Sequence, residues 1–308
     1  MKKTIGIIGP GEHFKNKIYP ILKKSNFFKI TGILRNKKKN FNSIKYFKEN
    51  DFFNKKHDFI YISCPNKLHE KYIIKSLKSH SHVICEKPFV ISNKKIKKIL
   101  FLSERNKKLI FESFMYVYHP AFVKLKQIIK NPKLGKLKYV ISNFKFPSLK
   151  KNNQRYIVSK GNGFFYDSAV YPISLENFLF ENYKIKKSEI YLQKIKKKVD
   201  LRGSIFVNCK NFKIYYFCGD GQNYSNNIEL VFEYGTIFFN KIFSKKNNEN
   251  IEIKIFFKNS LKKINFKKLN HFKIMFNKIK MNYLKQSFQK FHRKKINNQV
   301  TLVNMFNN

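Results

Sequence analysis

The sequence HVICEKPFV, residues 82–90, contains a lysine in a setting suited to acid–base chemistry. Lys87 follows a short apolar run and directly precedes Pro88. Proline disfavours a helical backbone at the residue before it, so Lys87 is expected to be extended. A lysine at the edge of a cleft, partly removed from water, can donate a proton or a hydrogen bond. A simple surface turn would account for these residues equally well.

A second group of candidate residues lies in GNGFFYDSAVYPISLENFLF, residues 161–180. Asp167 and Tyr171 are four residues apart, a spacing that places both on one face of a helix. A tyrosine near a cation can protonate a carbonyl oxygen, because the cation favours the phenolate that remains. Asp167 could hold a substrate hydroxyl or orient the pair. The alternative is an acid near a helix N-terminus followed by a packed aromatic residue.

Two glycines near the start of the chain, in IGIIGPGEHFKNKI, fit a nucleotide-binding turn. Gly9 and Gly11 stand between an expected strand and an expected helix, where glycine lets backbone N–H groups approach a pyrophosphate. The third glycine of this fingerprint would fall at position 14, which is Phe14. An ordinary strand-to-helix turn therefore remains the alternative.

The end of the second expected strand favours NADP over NAD. An NAD site uses an acidic residue there to bind the ribose 2′-hydroxyl. This chain has ILRNKKKN instead, with Arg35 followed by lysines and no carboxylate. A cationic segment suits a 2′-phosphate, although NAD stays possible and a plain lysine-rich loop is the alternative.

The elements that must position these residues change in character along the chain. Up to residue 118, short apolar runs alternate with helical patterns, which predicts a doubly wound parallel sheet of the Rossmann type. Lys87 then follows the fourth strand, at the carboxyl edge where such sheets bind ligands. From residue 119, longer β-like stretches joined by short turns predict a large, mostly antiparallel open sheet. The expected fold is α/β, with a nucleotide-binding domain at 1–118 and an α+β domain at 119–308.

The composition of the 308 residues predicts a globular protein with an extreme charge. Hydrophobic residues make up 43%, and 65 Lys and Arg against 18 Asp and Glu give a formal charge of +47. Such a charge could attract nucleic acid or an anionic membrane. However, the lysines are dispersed and only five basic residues are arginine, the residue that base recognition favours. Nucleic acid is therefore an unlikely partner, whereas an anionic small substrate would be attracted in any case.

The cysteines and the apolar runs predict a cytoplasmic protein without a membrane partner. Cys64, Cys85, Cys209 and Cys218 form no CxxC pair, which favours a reducing compartment and gives no sign of a disulfide framework or metal site. The apolar run at residues 5–8 is too short for a signal peptide. No run approaches the roughly 18 apolar residues of a membrane span.

Taken together, these segments resemble the Gfo/Idh/MocA oxidoreductases. The strand and Gly-x-Gly start is followed in order by CPNKLH, HVICEKPF, FESFMYVYHP and GNGFFYDSAVYPISL, and the likeness covers residues 4–180. The resemblance implies an NAD(P)-binding Rossmann domain and a second domain whose open sheet often forms the oligomer interface, hence a homodimer or homotetramer. It also implies that Lys87 is the catalytic lysine, that Asp167 is the family's aspartate and that Tyr171 occupies the catalytic histidine position. The implied cofactor-binding set is Gly9, Gly11, Glu12, His13, Arg35, Cys64, Pro65, Asn66, His69, Glu86 and Lys87.

Several departures from the family pattern narrow the expected activity. Tyr171 replaces the histidine of inositol-type members, as in the dihydrodiol dehydrogenase and keto-sugar reductase branches. Ser174 stands where a second acid often occurs, and Val117 where many relatives carry arginine. We therefore expect an NAD(P)-dependent oxidoreductase that transfers a hydride between nicotinamide and a sugar, with a nucleotide-linked keto-sugar preferred. For this, Lys87 and Tyr171 must meet across one cleft. The alternative is an inactive Rossmann scaffold that senses NAD(P) or binds a polyanion.

The assignment of Arg35 to the cofactor site generates a test. Replacing the cation with a carboxylate, in Arg35→Asp, should repel a 2′-phosphate and accept a 2′-hydroxyl. We expect weaker binding of NADPH relative to NADH, measured as the ratio of the two dissociation constants. An unchanged ratio would remove Arg35 from the site.

Overall fold

The chain folds into two compact units. The computed structural model describes residues 1–34, 41, 44–150, 153–159, 161–180, 183–195, 199–247, 249–258 and 260–307. The first unit comprises Met1–Ser113 and Met275–Thr301, and the second comprises Phe114–Ile274 and Leu302–Asn308. The sequence predicts one domain over residues 119–308, whereas in the structure the segment Met275–Thr301 groups with the N-terminal unit.

The first unit contains a doubly wound parallel sheet, as predicted. Its strands are β1 (Lys3–Ile8), β2 (Phe28–Leu34), β3 (Tyr46–Phe47), β4 (Phe59–Ile62), β5 (His82–Cys85) and β6 (Ile110–Glu112). They are ordered β3-β2-β1-β4-β5-β6 and all pair in parallel. This order is that of the dinucleotide-binding Rossmann fold, with the switch point beside β1.

Helices flank this sheet. A π-helical turn (Phe14–Ile18) leads into α1 (Tyr19–Lys23), and α2 (Glu49–Asn54), α3 (His69–Lys78) and α4 (Ile96–Arg105) follow, with a 3₁₀ turn at Asn66–Leu68. The chain returns through α7 (His271–Asn282) and α8 (Gln286–Asn307). Strands such as β4 are buried along their whole length because both faces of the sheet are covered.

Aromatic residues of the returning segment explain its place in the first unit. Phe276 is 3% exposed, and its ring lies 5.7 Å from that of Phe28. Tyr283, seven residues further on, packs its ring 5.1 Å from Phe59. Phe276 lies within α7 and Tyr283 directly after it, and both rings pack on strand residues, so the returning segment completes the core of the N-terminal sheet.

The second unit is built on the mostly antiparallel sheet that the sequence predicted. Its strands are β7 (Leu137–Lys145), β8 (Ile185–Ile195), β9 (Val199–Cys209), β10 (Lys213–Gly219), β11 (Ser225–Phe232), β12 (Gly235–Asn240), β13 (Ile251–Phe257) and β14 (Ser260–Phe266). Their order is β14-β13-β12-β11-β7-β10-β9-β8, and only β7 and β10 pair in parallel.

One face of this second sheet is covered and the other is open. Along β11 buried and partly exposed residues alternate strictly, with Ile228 and Leu230 fully buried. The helices of the unit are α5 (Pro120–Ile128) and α6 (Val170–Leu179), the latter preceded by a π-helical turn (Phe165–Ala169), with 3₁₀ turns at Met115–Tyr118, Pro132–Leu134 and Gln154–Tyr156. Across the described ranges, no helix has the length and low polarity that a membrane crossing requires.

Candidate functional site

The turn after β1 can be formed only by glycine at position 9. Gly9 has a φ of +68°, and a Cβ there would lie 2.6 Å from the Cα of Cys64. At Gly11, by contrast, apart from its chain neighbours no atom of the described residues lies within 4 Å of the position a Cβ would take. The turn is thus closed on the side of Cys64 and open at Gly11, where a ligand can approach the backbone.

Phe14, at the third glycine position, is a core residue in this chain. It is fully buried, and its ring lies 5.9 Å from Tyr61 and 6.0 Å from Phe41. The residues around it form a π-helical turn instead of a regular α-helix. The large ring therefore fills the space between helix and sheet that the family's small residue leaves for close packing.

The glycine turn lies at the switch point of the first sheet. β1 pairs with β2 on one side and β4 on the other, and the Ser63 N–H donates to the Ile8 carbonyl over 2.9 Å. Gly9 and Cys64 therefore lie at the same carboxyl edge, which is where doubly wound sheets bind ligands.

The segment from Cys64 to His69 is attached to the loop that carries Lys87. His69 is fully buried, with Nδ1 2.8 Å from the Pro88 carbonyl oxygen and Nε2 2.9 Å from that of Cys64. Burial lowers the pKa of His69. Burial also raises the pKa of Cys64 to about 12, so the thiol stays protonated. Pro65 is exposed and Asn66 partly so. Direct contact of these four residues with a cofactor stays a prediction.

Glu86 and His13, both predicted to be at the cofactor site, lie together. His13 Nε2 is 3.4 Å from Glu86 Oε1, and the Tyr61 hydroxyl donates a hydrogen bond to the same carboxylate. Burial acts to raise the pKa of Glu86, but His13 and Tyr61 outweigh it and the pKa is lowered. Glu86 is therefore ionised at neutral pH. Glu12 is exposed and pairs with Lys15 over 3.1 Å.

Lys87 is partly buried in a loop that is held on both sides. The Glu86 N–H donates to the Ile62 carbonyl over 2.9 Å, and the Phe89 N–H donates to Glu112 Oε1 over 2.8 Å. The Lys87–Pro88 peptide bond is cis. Glu112 lies in the FESFMYVYHP segment, but the sequence motifs did not indicate a role for it. Arg35 lies outside the described residues.

In the second unit, Asp167 and Tyr171 lie on one continuous helical segment. Asp167 lies in the π-helical turn and Tyr171 in α6. Asp200 caps the segment by accepting a hydrogen bond from the Phe165 N–H over 2.6 Å. Gly163, with φ +95°, leaves room for this cap, since a Cβ there would lie 2.3 Å from Asp200 Oδ1. π-Helical turns of this kind are frequent at functional sites.

Arg155 contacts the candidate residue Asp167, and the sequence motifs did not indicate this partner. Its guanidinium contacts both carboxylate oxygens of Asp167, with Nη2 3.2 Å from Oδ1 and Nε bonded to the other oxygen. Arg155 also interacts electrostatically with Tyr171. An arginine is rare in this lysine-rich chain, and this rarity was the available signal.

Tyr171 is set among aromatic rings. It is 9% exposed, and its ring lies 5.1 Å from Phe144 and 5.6 Å from Phe114. Ser174, where relatives often carry an acid, donates a hydrogen bond to the Tyr171 carbonyl over 2.7 Å and is fully buried. Val117 is also buried. These two departures from the family pattern are therefore packing positions in this chain.

A buried carboxyl fixes the helix beyond Tyr171. Glu176 is fully buried and accepts hydrogen bonds from the hydroxyls of Tyr183 and Tyr216. Burial raises the pKa of Glu176 to about 7, against the opposing effect of the two hydroxyls. The helix that carries Tyr171 is therefore tied to the sheet through Tyr216, on β10.

Two family models match this sequence. The one described as "Oxidoreductase family, NAD-binding Rossmann fold" matches residues 3–114. The one described as "GFO/IDH/MocA C-terminal domain" matches residues 122–238. Both names belong to the family that the sequence motifs resemble.

Relatives of the chain include sugar reductases. It is 22% identical over 188 residues to dTDP-3,4-didehydro-2,6-dideoxy-alpha-D-glucose 3-reductase of Actinomadura kijaniata, a match covering 61% of this chain and 57% of the relative. The chain thus spans less than two thirds of this relative. Scyllo-inositol 2-dehydrogenase (NADP(+)) of Bacillus subtilis is 30% identical over 70 residues, 23% of this chain and 21% of the relative.

Solved structures share the fold. A 3-ketoreductase from Actinomadura kijaniata, crystallised with NADP and TDP-benzene, superposes with a TM-score of 0.89 at 17% identity over 100% of this chain and 97% of its own. Aldose-aldose oxidoreductase from Caulobacter crescentus gives a TM-score of 0.85 at 11% identity over 99% and 96% of the two chains.

The buried Glu176 makes a prediction about stability and pH. The pKa of Glu176 is ordinarily 4.5 and is about 7 in the folded protein. Its contribution to the free energy of unfolding is therefore complete below pH 4.5 and is lost as pH rises through 7. The difference between the two pKa values corresponds to about 3 kcal/mol of this free energy. We expect Glu176→Gln to lose less free energy of unfolding than the wild type between pH 5 and pH 8 (roughly the two limits of that window), measured by urea unfolding.

Glu229→Gln, on β11 of the same unit, is the matched control and should follow the wild type. Parallel pH dependence in wild type and Glu176→Gln would show that Glu176 is not held neutral.

Proposed function

Because this chain belongs to the Gfo/Idh/MocA oxidoreductase family, we propose that it is an NADP-dependent oxidoreductase that transfers a hydride to or from a sugar carbon. The main support is that the glycine turn and Lys87 both lie at the carboxyl edge of one parallel sheet. The glycine turn of Gly9 lies at the switch point, and Lys87 follows β5 at the carboxyl edge of the same sheet.

The residues of the first unit fit a dinucleotide. Gly9 lets the turn pack directly against Cys64, while the open space at Gly11 leaves its backbone accessible to a pyrophosphate. Arg35 and the lysines after it would serve a 2′-phosphate. When bound, NADPH supplies the hydride, and the protein supplies orientation and charge.

Proton transfer in this proposal is assigned to Tyr171 and Lys87. The Tyr171 phenol donates its proton to the substrate oxygen in reduction, and the Tyr171 phenolate accepts that proton in oxidation. The Lys87 ammonium stabilises the negative charge that develops on that oxygen, so the proposal requires both groups to reach one atom. Asp167, held by Arg155, orients the substrate, and the surrounding aromatic rings limit the access of water to Tyr171.

A nucleotide-linked keto-sugar is the substrate class that we favour. A relative in the comparison is named as a reductase of a dTDP-linked didehydro sugar. The formal charge of +47 raises the local concentration of an anionic diphosphate substrate. A simple aldose or a trans-dihydrodiol is the alternative within the same reaction class. The cytoplasmic location stays a prediction. The four cysteines are free thiols, which a reducing compartment would preserve.

Replacing the proposed catalytic lysine tests the reaction. Lys87→Ala should lower kcat by about 100-fold to 10,000-fold, with NADPH affinity largely kept, because it removes charge stabilisation of the reacting oxygen. The measurement is NADPH oxidation against keto-sugars and nucleotide-linked keto-sugars. Lys97→Ala removes the same charge from the exposed side of α4 and should leave kcat unchanged. Full activity in Lys87→Ala on an accepted substrate would show that the lysine has another role.

We also propose that the open sheet face joins two or four copies of the chain. Rings cross this face from strand to strand, with Tyr191–Phe206 and Phe206–Tyr215 centroids 5.6 Å apart and Tyr215–Tyr139 6.2 Å apart. Tyr191 is 55% exposed and Tyr139 42%. An exposed aromatic row of this kind is typical of protein interfaces. A second copy would cover it face to face.

A charge placed in the aromatic row should separate the copies. Phe206→Glu would bury an unpaired carboxylate in the interface, so we expect the mass in solution to fall from that of an oligomer to that of a monomer. Sedimentation equilibrium measures this directly. Val123→Glu adds the same charge at a 48% exposed position on α5 and should leave the mass unchanged. A monomeric wild type would contradict the assembly.

A further inference from the structure

The loop that carries Lys87 is fixed by three different elements. His69, in α3, has Nδ1 2.8 Å from the Pro88 carbonyl oxygen, and Tyr61, in β4, donates a hydrogen bond to the Glu86 carboxylate. Glu112, the last residue of β6, accepts the Phe89 N–H over 2.8 Å. Of these three bonds, the one to Glu112 is made by the N–H of Phe89, the residue that follows the proline.

The side chain of Phe89 supports the anchor at Glu112. Phe89 is 1% exposed and belongs to the apolar core of the first unit with Ile110 and Val83. A buried N–H without an acceptor costs about as much free energy as a lost hydrogen bond. The Glu112 oxygen satisfies this donor, so the side chain and the backbone of Phe89 are both fixed.

Glu112 is an unusual acceptor for this task. It is 7% exposed, and burial raises its pKa to about 8, against the effects of the Phe89 N–H and the Lys87 charge. Glu86 also raises the pKa of Glu112 through its negative charge, and the thiol of Cys85 is a further titratable group nearby. At neutral pH the Glu112 carboxyl is therefore mostly uncharged. Its oxygen fixes the loop without placing a full second anion beside Glu86.

We propose that Glu112 is a positioning residue for Lys87, and that its carboxyl oxygen fixes the Phe89 end of the loop from β6. The inference rests on the proposed role of Lys87 in catalysis. Two properties of Glu112 are needed: an oxygen acceptor and a side chain long enough to reach Phe89. Negative charge is not needed. A displacement of about 1 Å at a reacting group can cost about 100-fold in rate, so loss of the anchor should appear in kcat.

Three substitutions separate reach, acceptor and charge. Glu112→Gln keeps the length and an acceptor oxygen, Glu112→Asp keeps the acid but withdraws it by one methylene, and Glu112→Leu removes the acceptor. We expect Gln to retain kcat within a few-fold, and Asp and Leu to lose about 10-fold to 100-fold in kcat with a smaller change in KM. Glu104→Gln, at a 75% exposed side chain in α4, should match the wild type.

Amide hydrogen exchange tests the anchor without relying on turnover. Deuterium uptake by peptides covering residues 86–89 should match the wild type in Glu112→Gln and should be faster in Glu112→Asp and Glu112→Leu. If no substrate is turned over, the proposed function is contradicted. The exchange rates still show whether Glu112 anchors the loop, because they do not depend on turnover.

Two results would overturn the inference. One is a Gln variant as impaired as Asp, in kcat or in exchange, since charge would then be the required property. The other is wild-type exchange and wild-type kcat in the Asp variant, since reach would then be irrelevant. Should Glu112→Leu not fold, the contrast between Gln and Asp decides the question alone.

Discussion

The close approach of two backbone turns governs the first unit. The turn at Gly9 lies against Cys64 with no space for a side chain, and the Ser63 hydroxyl donates to the Gly9 carbonyl over 3.1 Å. From Cys64, the buried ring of His69 extends the contact to Pro88. The position of Lys87 therefore depends on buried side chains that bind the backbone of its loop, beginning with the His69 ring at the Pro88 carbonyl.

The second unit fixes its candidate residues in a different way, through acidic side chains on or beside one helical segment. Asp200 accepts a hydrogen bond at the first turn, and Arg155 donates hydrogen bonds to Asp167. Further along the helix, Glu176 accepts hydrogen bonds from two tyrosines. Glu176 is the fully buried acid of the three, and a buried acid is costly unless it is paired or neutral; its two tyrosine donors and its raised pKa offset this cost. These bonds fix the helix. Because two of them involve Glu176, the stability of the unit is expected to depend on pH.

The sequence revealed elements and residue types better than partners. The short apolar run before Lys87 is recognisable in the sequence, since it ends at charged residues, and it forms β5. Strand β14 has no comparable signal, because SLKKINF is too polar to show alternation. Gly9 and Lys87 were recognisable because each lies inside a local motif. Glu112 was not, because its bond to Phe89 spans 23 residues of chain and depends on the pairing of β5 and β6. The grouping of Met275–Thr301 with the first unit likewise depends on contacts between residues far apart in the chain. No local sequence pattern predicts it.

The return of the chain through Phe276 and Tyr283 has a consequence for biosynthesis. Domains generally fold as units, N-terminal first, as they leave the ribosome. Here the rings of Phe28 and Phe59 are covered by Phe276 and Tyr283 only after residues 114–274 have been made. The nascent Rossmann sheet therefore keeps apolar surface exposed while residues 114–274 of the second unit are translated. During that interval it is a natural client for chaperones that shield hydrophobic strands.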